Sequence, residues 1–126
     1  MTTIRKYSSI SQDTTLASGI NASVTSVSVA AGTGPALLGG ITLNPGDQFT
    51  IAVDPDTINE EIMFVTARSG DVLTVTRGCA GSTAVVHTAG AKVQHVLSSD
   101  DLNWFNNMIQ SESAIGSTPI IDGGNP

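Results

Sequence analysis

The clearest alternation of apolar and polar positions lies in the middle of the chain. After a turn at Pro45-Gly46, Phe49, Ile51 and Val53 fall on one face of an extended segment. In "EIMFVTA", Ile62 and Phe64 point one way and Met63 and Val65 the other, which predicts a central strand covered on both sides. Ser69-Gly70 predicts a tight hairpin turn, because glycine takes positive φ without steric cost. "DVLTVTR" then pairs back, with Leu73 and Val75 on one face and Val72, Thr74 and Thr76 on the other. "AKVQHVL" reads as a last strand, with Val93 and His95 on one face and Lys92, Gln94 and Val96 on the other. Upstream, Val27 and Val29 alternate while Val24 is out of phase, so a strand is expected to start near Ser26. "GTGPALLGG" reads as a loop from its Gly and Pro content.

The period changes after Leu97. In "SSDDLNWFNNMIQSE", Leu102, Phe105 and Ile109 recur at helical spacing, with Met108 beside them and Trp104 off the stripe. Ser98 or Ser99 can cap this helix, and Asp100 and Asp101 suit its positive dipole end. The expected organisation is an N-terminal arm over 1–13, a β domain over 14–97, a helix over 98–112 and an extended tail over 113–126. The fold class is mainly β: a small antiparallel β-barrel or sandwich of about six or seven short strands, with one short C-terminal helix and extended terminal arms. The arms are expected to order only where something grips them, by strand addition to a neighbour.

Composition narrows the function classes. The 126 residues suffice for one domain. Aromatic residues are only 4%, so the core is thin and the chain is expected to gain firmness from partner subunits. Five basic residues against eleven acidic ones give a formal net charge of -6, which disfavours nucleic acid and anionic membranes as partners. One cysteine forms no intramolecular disulfide. No stretch approaches the roughly 20 apolar residues of a spanning helix, and "MTTIRKYSSISQD" has no signal-peptide core, so a soluble protein made and assembled in a cytoplasm is expected.

The candidate chemistry sits in "VTRGCAGSTAVVHTAG", where Cys79 and His87 are a nucleophile and a base on paper. No sequence signal supplies an orienting group or an oxyanion hole, so Cys79 is read as a small residue filling a turn, and no catalytic residue is expected. Cys79, His87 and His95 lack zinc-ligand spacing, and no metal or cofactor is expected. Asp54, Asp56, Glu60 and Glu61 in "DPDTINEE" are not spaced as a calcium loop and are read as a solvated acidic turn. The same carboxylates raise glycoside hydrolysis, but the chain is poor in aromatic residues for stacking sugars. "GTGPALLGG" lacks the Lys-Ser/Thr of a phosphate loop. The glycines carry more meaning. Gly78, Gly81 and Gly90 punctuate a long connection, Arg77 can bridge carbonyls or a carboxylate, and Ser82 and Thr83 can bond through their hydroxyls. Together with His87 these are the expected loop-shaping residues.

The segment "EEIMFVTARSGDVLTVTRGCAGSTAVVHTAGAKVQHVLSSDDL" resembles a module widespread in virion proteins of tailed bacteriophages. The resemblance runs through Glu60-Glu61, Ile62 to Val65, Ser69-Gly70, Arg77-Gly78, Gly81 to Ala84, His87 and Gly90, and covers about residues 13–103. Ser82 stands where the module leads one to expect threonine. The resemblance implies a structural virion protein with no catalytic activity, assembled as a homotrimer and contacting the major capsid protein or other virion proteins. A capsid decoration or head-fibre protein is expected first, a tail component such as a tail-fibre anchor second. A carbohydrate-binding adhesion module is the alternative from a different class, with a glycan as its ligand; a cysteine-dependent enzyme comes last. In a trimer, Leu102, Trp104, Phe105, Met108 and Ile109 would form the subunit interface, the Leu102/Phe105/Ile109 stripes meeting at the axis. The same stripe could instead close one end of the barrel.

Overall fold

The computed structural model describes residues 4–116. Its elements are β1 (Ile4–Lys6), β2 (Thr14–Thr15), β3 (Ser26–Ser28), a short helix α1 (Gly34–Leu37), β4 (Asp47–Val53), β5 (Glu61–Ser69), β6 (Val72–Cys79), β7 (Lys92–His95) and helix α2 (Ser99–Gly116). The strands form a 7-stranded sheet in the order β2-β7-β4-β5-β6-β3, with β1 added to β4. Every pairing along that order is antiparallel. The two ends of the order meet, because Leu16 bridges Val29. Around that bridge Ala17 N–H donates to the Ser28 carbonyl and Ala30 N–H to the Thr15 carbonyl, each at 2.9 Å. The sheet is thus curled into a small barrel-like structure, and the chain is mainly β as its alternation predicts.

The inward face follows the period of two. Phe49 pairs with Val65, Ile51 with Met63 and Val53 with Glu61 across β4 and β5. Phe49, Ile51, Val53, Met63, Val65, Leu73 and Val93 are all fully buried, and burying each contributes about 1.5–3 kcal/mol. The outer face of β4 is also covered, since Thr50 and Ala52 are buried. Outer-face Ile62 and Phe64 on β5 are half-buried, and the Arg5 guanidinium lies 5.1 Å from the centre of the Phe64 ring.

Several expectations are corrected. The hairpin turn is Gly70-Asp71, because Ser69 pairs with Val72 as the last strand residue. "GTGPALLGG" is not all loop. Pro35 sits at the start of a helical turn, where its missing N–H costs nothing, and the turn drives Leu37 and Leu38 into the core. The turn presses so close to the hairpin that a Cβ on Gly34 would lie 2.3 Å from the Gly70 carbonyl oxygen. The Asp71 carboxylate locks the contact, accepting from Gly32 N–H and Gly34 N–H at 2.9 Å each, and those bonds hold its carboxyl below the usual range.

The described part of the N-terminal arm is gripped by its own chain. β1 runs parallel to β4, with Ile4 opposite Asp47 and Lys6 opposite Phe49. It occupies the same edge of β4 as β7, which pairs with Ile51 to Val53. Further on, Gln12 N–H donates to the Ala36 carbonyl at 2.9 Å and the Ser11 hydroxyl to the Leu37 carbonyl. At the other end, α2 begins at Ser99 and runs to Gly116, through residues assigned to the tail. The rest of the expected tail, 117–126, and residues 1–3 lie outside the described residues.

Candidate functional site

The densest set of polar contacts lies where β4 ends, β5 begins and β6 ends. Glu61 shares the inward face with Met63 and Val65, and its carboxylate is fully buried. An unpaired carboxylate there would cost several kcal/mol. It is met instead from all sides. Arg77 binds it bidentately, Nε to Oε2 at 2.7 Å and Nη2 to Oε1 at 2.9 Å. Gly78 N–H donates at 2.9 Å and Val85 N–H at 3.1 Å. The His87 ring completes the shell, with Nε2 2.9 Å from Glu61 Oε1 and Nδ1 2.7 Å from Asp54 Oδ2. Burial pushes the Glu61 carboxyl up, but the bonds from Arg77, His87, Gly78 and Val85 outweigh it and lower it from 4.5 to about 2.

Arg77 does more than neutralise Glu61. Its Nη1 donates to the carbonyls of Asn21 at 2.8 Å and Val24 at 2.9 Å, and its Nη2 to that of Val85 at 2.8 Å. One guanidinium therefore ties the segment before β3, the end of β6 and the connection to β7. His87 pairs its backbone with Ile20, which fixes the imidazole from the main chain while the carboxylates fix it from the ring. Within the connection Gly78, Ala80 and Gly81 have φ of 60°, 51° and 86°, so the backbone doubles back in the left-handed region. Gly78 is the tightest point, because a Cβ there would also meet Ala84 N at 3.2 Å.

The other singled-out residues divide. Gly81 and Gly90 are exposed turn positions with φ of 86° and 89°. Thr83 is exposed, and its neighbour supplies the hydroxyl: Ile62 N–H donates to Ser82 Oγ at 2.9 Å, and Ser82 Oγ donates to the Cys79 carbonyl at 2.7 Å. Cys79 is buried, with its thiol 3.4 Å from the Thr76 carbonyl oxygen. The solvated acidic turn is half corrected. Asp56 and Glu60 are exposed, but Glu61 is the centre of the cluster and Asp54 its outer member. Glu61 is the residue that the reading of the sequence missed. Its phase with Met63 and Val65 was the available signal, since a carboxylate on a core face demands a cation.

A second buried carboxylate, Asp101, sits at the start of α2. Ser98 and Asp101 form a reciprocal cap, with Ser98 N–H and Oγ donating to Asp101 Oδ2 at 2.9 Å each and Asp101 N–H donating to Ser98 Oγ at 3.3 Å. Arg5 Nη1 lies 2.8 Å from Asp101 Oδ1, and the hydroxyls of Thr50 and Tyr7 donate to the same oxygen at 3.1 and 3.4 Å. Burial raises the Asp101 carboxyl, and the bonds from Ser98, Arg5 and Thr50 together bring it below the usual range. Burial and the Asp101 charge push the Tyr7 hydroxyl up to about 12. His95 on β7 is half-buried and stacked on Phe49 at 3.9 Å. It donates from Nδ1 to the Thr50 carbonyl at 2.7 Å and accepts Ser8 N–H on Nε2 at 3.3 Å.

The first turn of α2 therefore lies against the outer face of β4 through Asp101. Phe105 stacks on Tyr7 at 5.2 Å, and Trp104 meets Phe105 edge-on at 5.2 Å. Leu102, Met108 and Ile109 are exposed.

Chemically, a histidine beside carboxylates is a general-base pattern when one ring nitrogen faces substrate. Here both nitrogens face carboxylates, so the geometry holds a loop. Among the described residues no group of His, Cys, Asp and Glu side chains is arranged to hold a metal ion, and no helix is long and apolar enough to cross a membrane. No protein-family model and no curated protein matches this chain.

Proposed function

We propose that this chain is a structural subunit of a tailed-phage virion, working by binding and not by chemistry, as a trimeric decoration or head-fibre protein on the outside of the capsid. One observation carries the non-catalytic part. The stretch that holds a nucleophile and a base turns its polar side chains onto a buried carboxylate: Arg77 and His87 both bond to Glu61, at 2.7 and 2.9 Å. What would be a reactive centre is the fastening of a surface connection. The virion context is supported by the resemblance of residues 13–103 to the phage module. Among the residues in that resemblance, Arg77, Gly78 and His87 all bond to a fourth, Glu61.

Quantitative mass spectrometry of purified particles tests the reading. Hundreds of copies per particle are expected for a capsid decoration. A handful would move the protein to the tail, and its absence from particles would end the virion reading.

A further inference from the structure

The N-terminal arm is held on the barrel by a histidine in the one form that acid removes. His95 Nδ1 lies 2.7 Å from the Thr50 carbonyl oxygen. A carbonyl only accepts, so that nitrogen carries the ring proton. The opposite nitrogen, Nε2, lies 3.3 Å from the backbone nitrogen of Ser8. A backbone N–H only donates, so Nε2 presents its lone pair. Both nitrogens are thus committed in the neutral ring, in a single tautomer. A second proton has no place with the arm docked, because it would set an imidazolium N–H against the N–H of Ser8. Thr50 cannot yield, since it belongs to β4, which pairs with β5 on one side and β7 on the other. Ser8 lies just past β1, whose ladder to β4 is three residues long. The arm is the part that gives way.

Among the described residues, the charged groups on the elements around the ring come in pairs. α2 brings Asp101, which Arg5 of the arm meets at 2.8 Å. β4 brings Asp47, which Lys6 of the arm meets at 3.9 Å. Tyr7, with its ring 6.2 Å from the imidazole, is pushed up to about 12 and stays neutral. The other neighbours are uncharged: Phe49 stacked at 3.9 Å, and Leu97 and Phe105 in the same groove. Phe49 and Asp101 both favour a cation at His95. Phe49 does so whether the arm is docked or free. Asp101 does so more strongly once the arm is free, because Arg5 and Tyr7 leave with it. The imidazolium, bonded to the same Thr50 whose hydroxyl reaches Asp101, then supplies the missing counter-charge. Protonation of His95 and release of the arm therefore favour one another. We propose that His95 is an acid-operated latch: its neutral ring locks the arm against β4, and its protonation lets the arm go. Burial lowers the ring from its ordinary 6.5 in the docked chain, against the Thr50 carbonyl and the Asp101 charge, which raise it. Above pH 6.5 the latch is at full strength. Below it the released chain takes up the proton first, and docking weakens by up to about tenfold per pH unit until the docked ring titrates too. The Glu61 contribution is complete above about pH 4.5, so the arm comes away from a barrel that stays closed.

Amide hydrogen exchange of the full chain between about pH 7.5 and about pH 5, divided by the intrinsic rate at each pH, tests it. Opening of residues 5–8 is expected to rise about fivefold or more over that range, while β5 and β6 stay unchanged. The midpoint should coincide with the titration of His95, read from the nitrogen chemical shifts of its imidazole. The same shifts should place the proton on Nδ1 at neutral pH. His95→Gln keeps a donor and an acceptor but does not titrate, and should flatten the response of the arm to within about twofold. A circular-dichroism spectrum shows whether that variant has folded, and the two wild-type midpoints test the latch without any variant. A wild-type arm indifferent to pH overturns the inference, as does a neutral ring protonated on Nε2. So does a His95 midpoint separate from that of the arm, or a pH response that His95→Gln retains. The latch does not depend on the virion reading, and a chain absent from particles would leave the exchange result standing.

Discussion

Glu61 and Asp101 are both carboxylates buried completely in a barrel with few large side chains, yet they do opposite jobs. Glu61 faces inward, and its donors come from Arg77, Gly78, Val85 and His87, which follow it closely in sequence. Asp101 faces the outside of β4, and apart from its own cap it is held by Arg5, Tyr7 and Thr50, from distant parts of the chain. The first fastens a connection within the β-meander. The second clasps both chain ends onto a barrel that is already paired without them. Removing the first should threaten the whole domain; removing the second should free the ends and leave the domain standing.

The largest expected effect is that of Glu61→Gln. It keeps the shape but leaves Arg77 buried without its carboxylate, and breaking a buried pair in this way costs about 3–5 kcal/mol. Chemical denaturation should show that loss as a lower midpoint for the whole barrel. If the midpoint barely moves, the two clamps do not differ as described.

Asp101→Asn is expected to cost less, about 1–3 kcal/mol, because Arg5 and Tyr7 are only half-buried and can turn to water once released. Amide exchange should quicken in residues 4–8 and around 99–105 and stay unchanged in β4, β5 and β6. Uniform quickening would mean that the clasp and the barrel form one cooperative unit.

The most discriminating effect is that of pH. The Glu61 carboxyl is lowered from 4.5 to about 2 in the folded chain. The unfolded chain therefore takes up its proton first, and this contribution is complete above about pH 4.5 and lost as pH falls towards 2. Tyr7 works in the other direction, raised from 10.0 to about 12, so its contribution is complete below pH 10 and lost as pH rises through 12. Acid should thus weaken the barrel in the wild type with a smaller slope in Glu61→Gln, while alkali should loosen the arm first. Denaturation midpoints and the arm's amide signals, followed across both ranges, check the two signs.

The sheet was legible because its central strands alternate cleanly. Phe49, Ile51 and Val53 point inward as their phase requires. Arg77 was legible as a clamp, but its partner was not, because Glu61 was grouped with the turn that precedes it and not with the strand it begins. The helix start was legible in Ser98 and Asp101, but not Arg5, since nothing local in "MTTIRKYSS" points to a residue so far along the chain. α1 was missed because glycines surround a single turn, and its apolar pair Leu37-Leu38 was the cue. For Arg5 the deciding contact lies 96 residues away, and local period does not encode it.

The Leu16–Val29 seam has a consequence for the order of events in folding. β4, β5 and β6 are joined in series by short connections and can zip up one after another, whereas the seam aligns only once β2 lies on β7 and β3 lies on β6. Closing the ring is then the last step of the route to the native state, and parting it the first step of the route out.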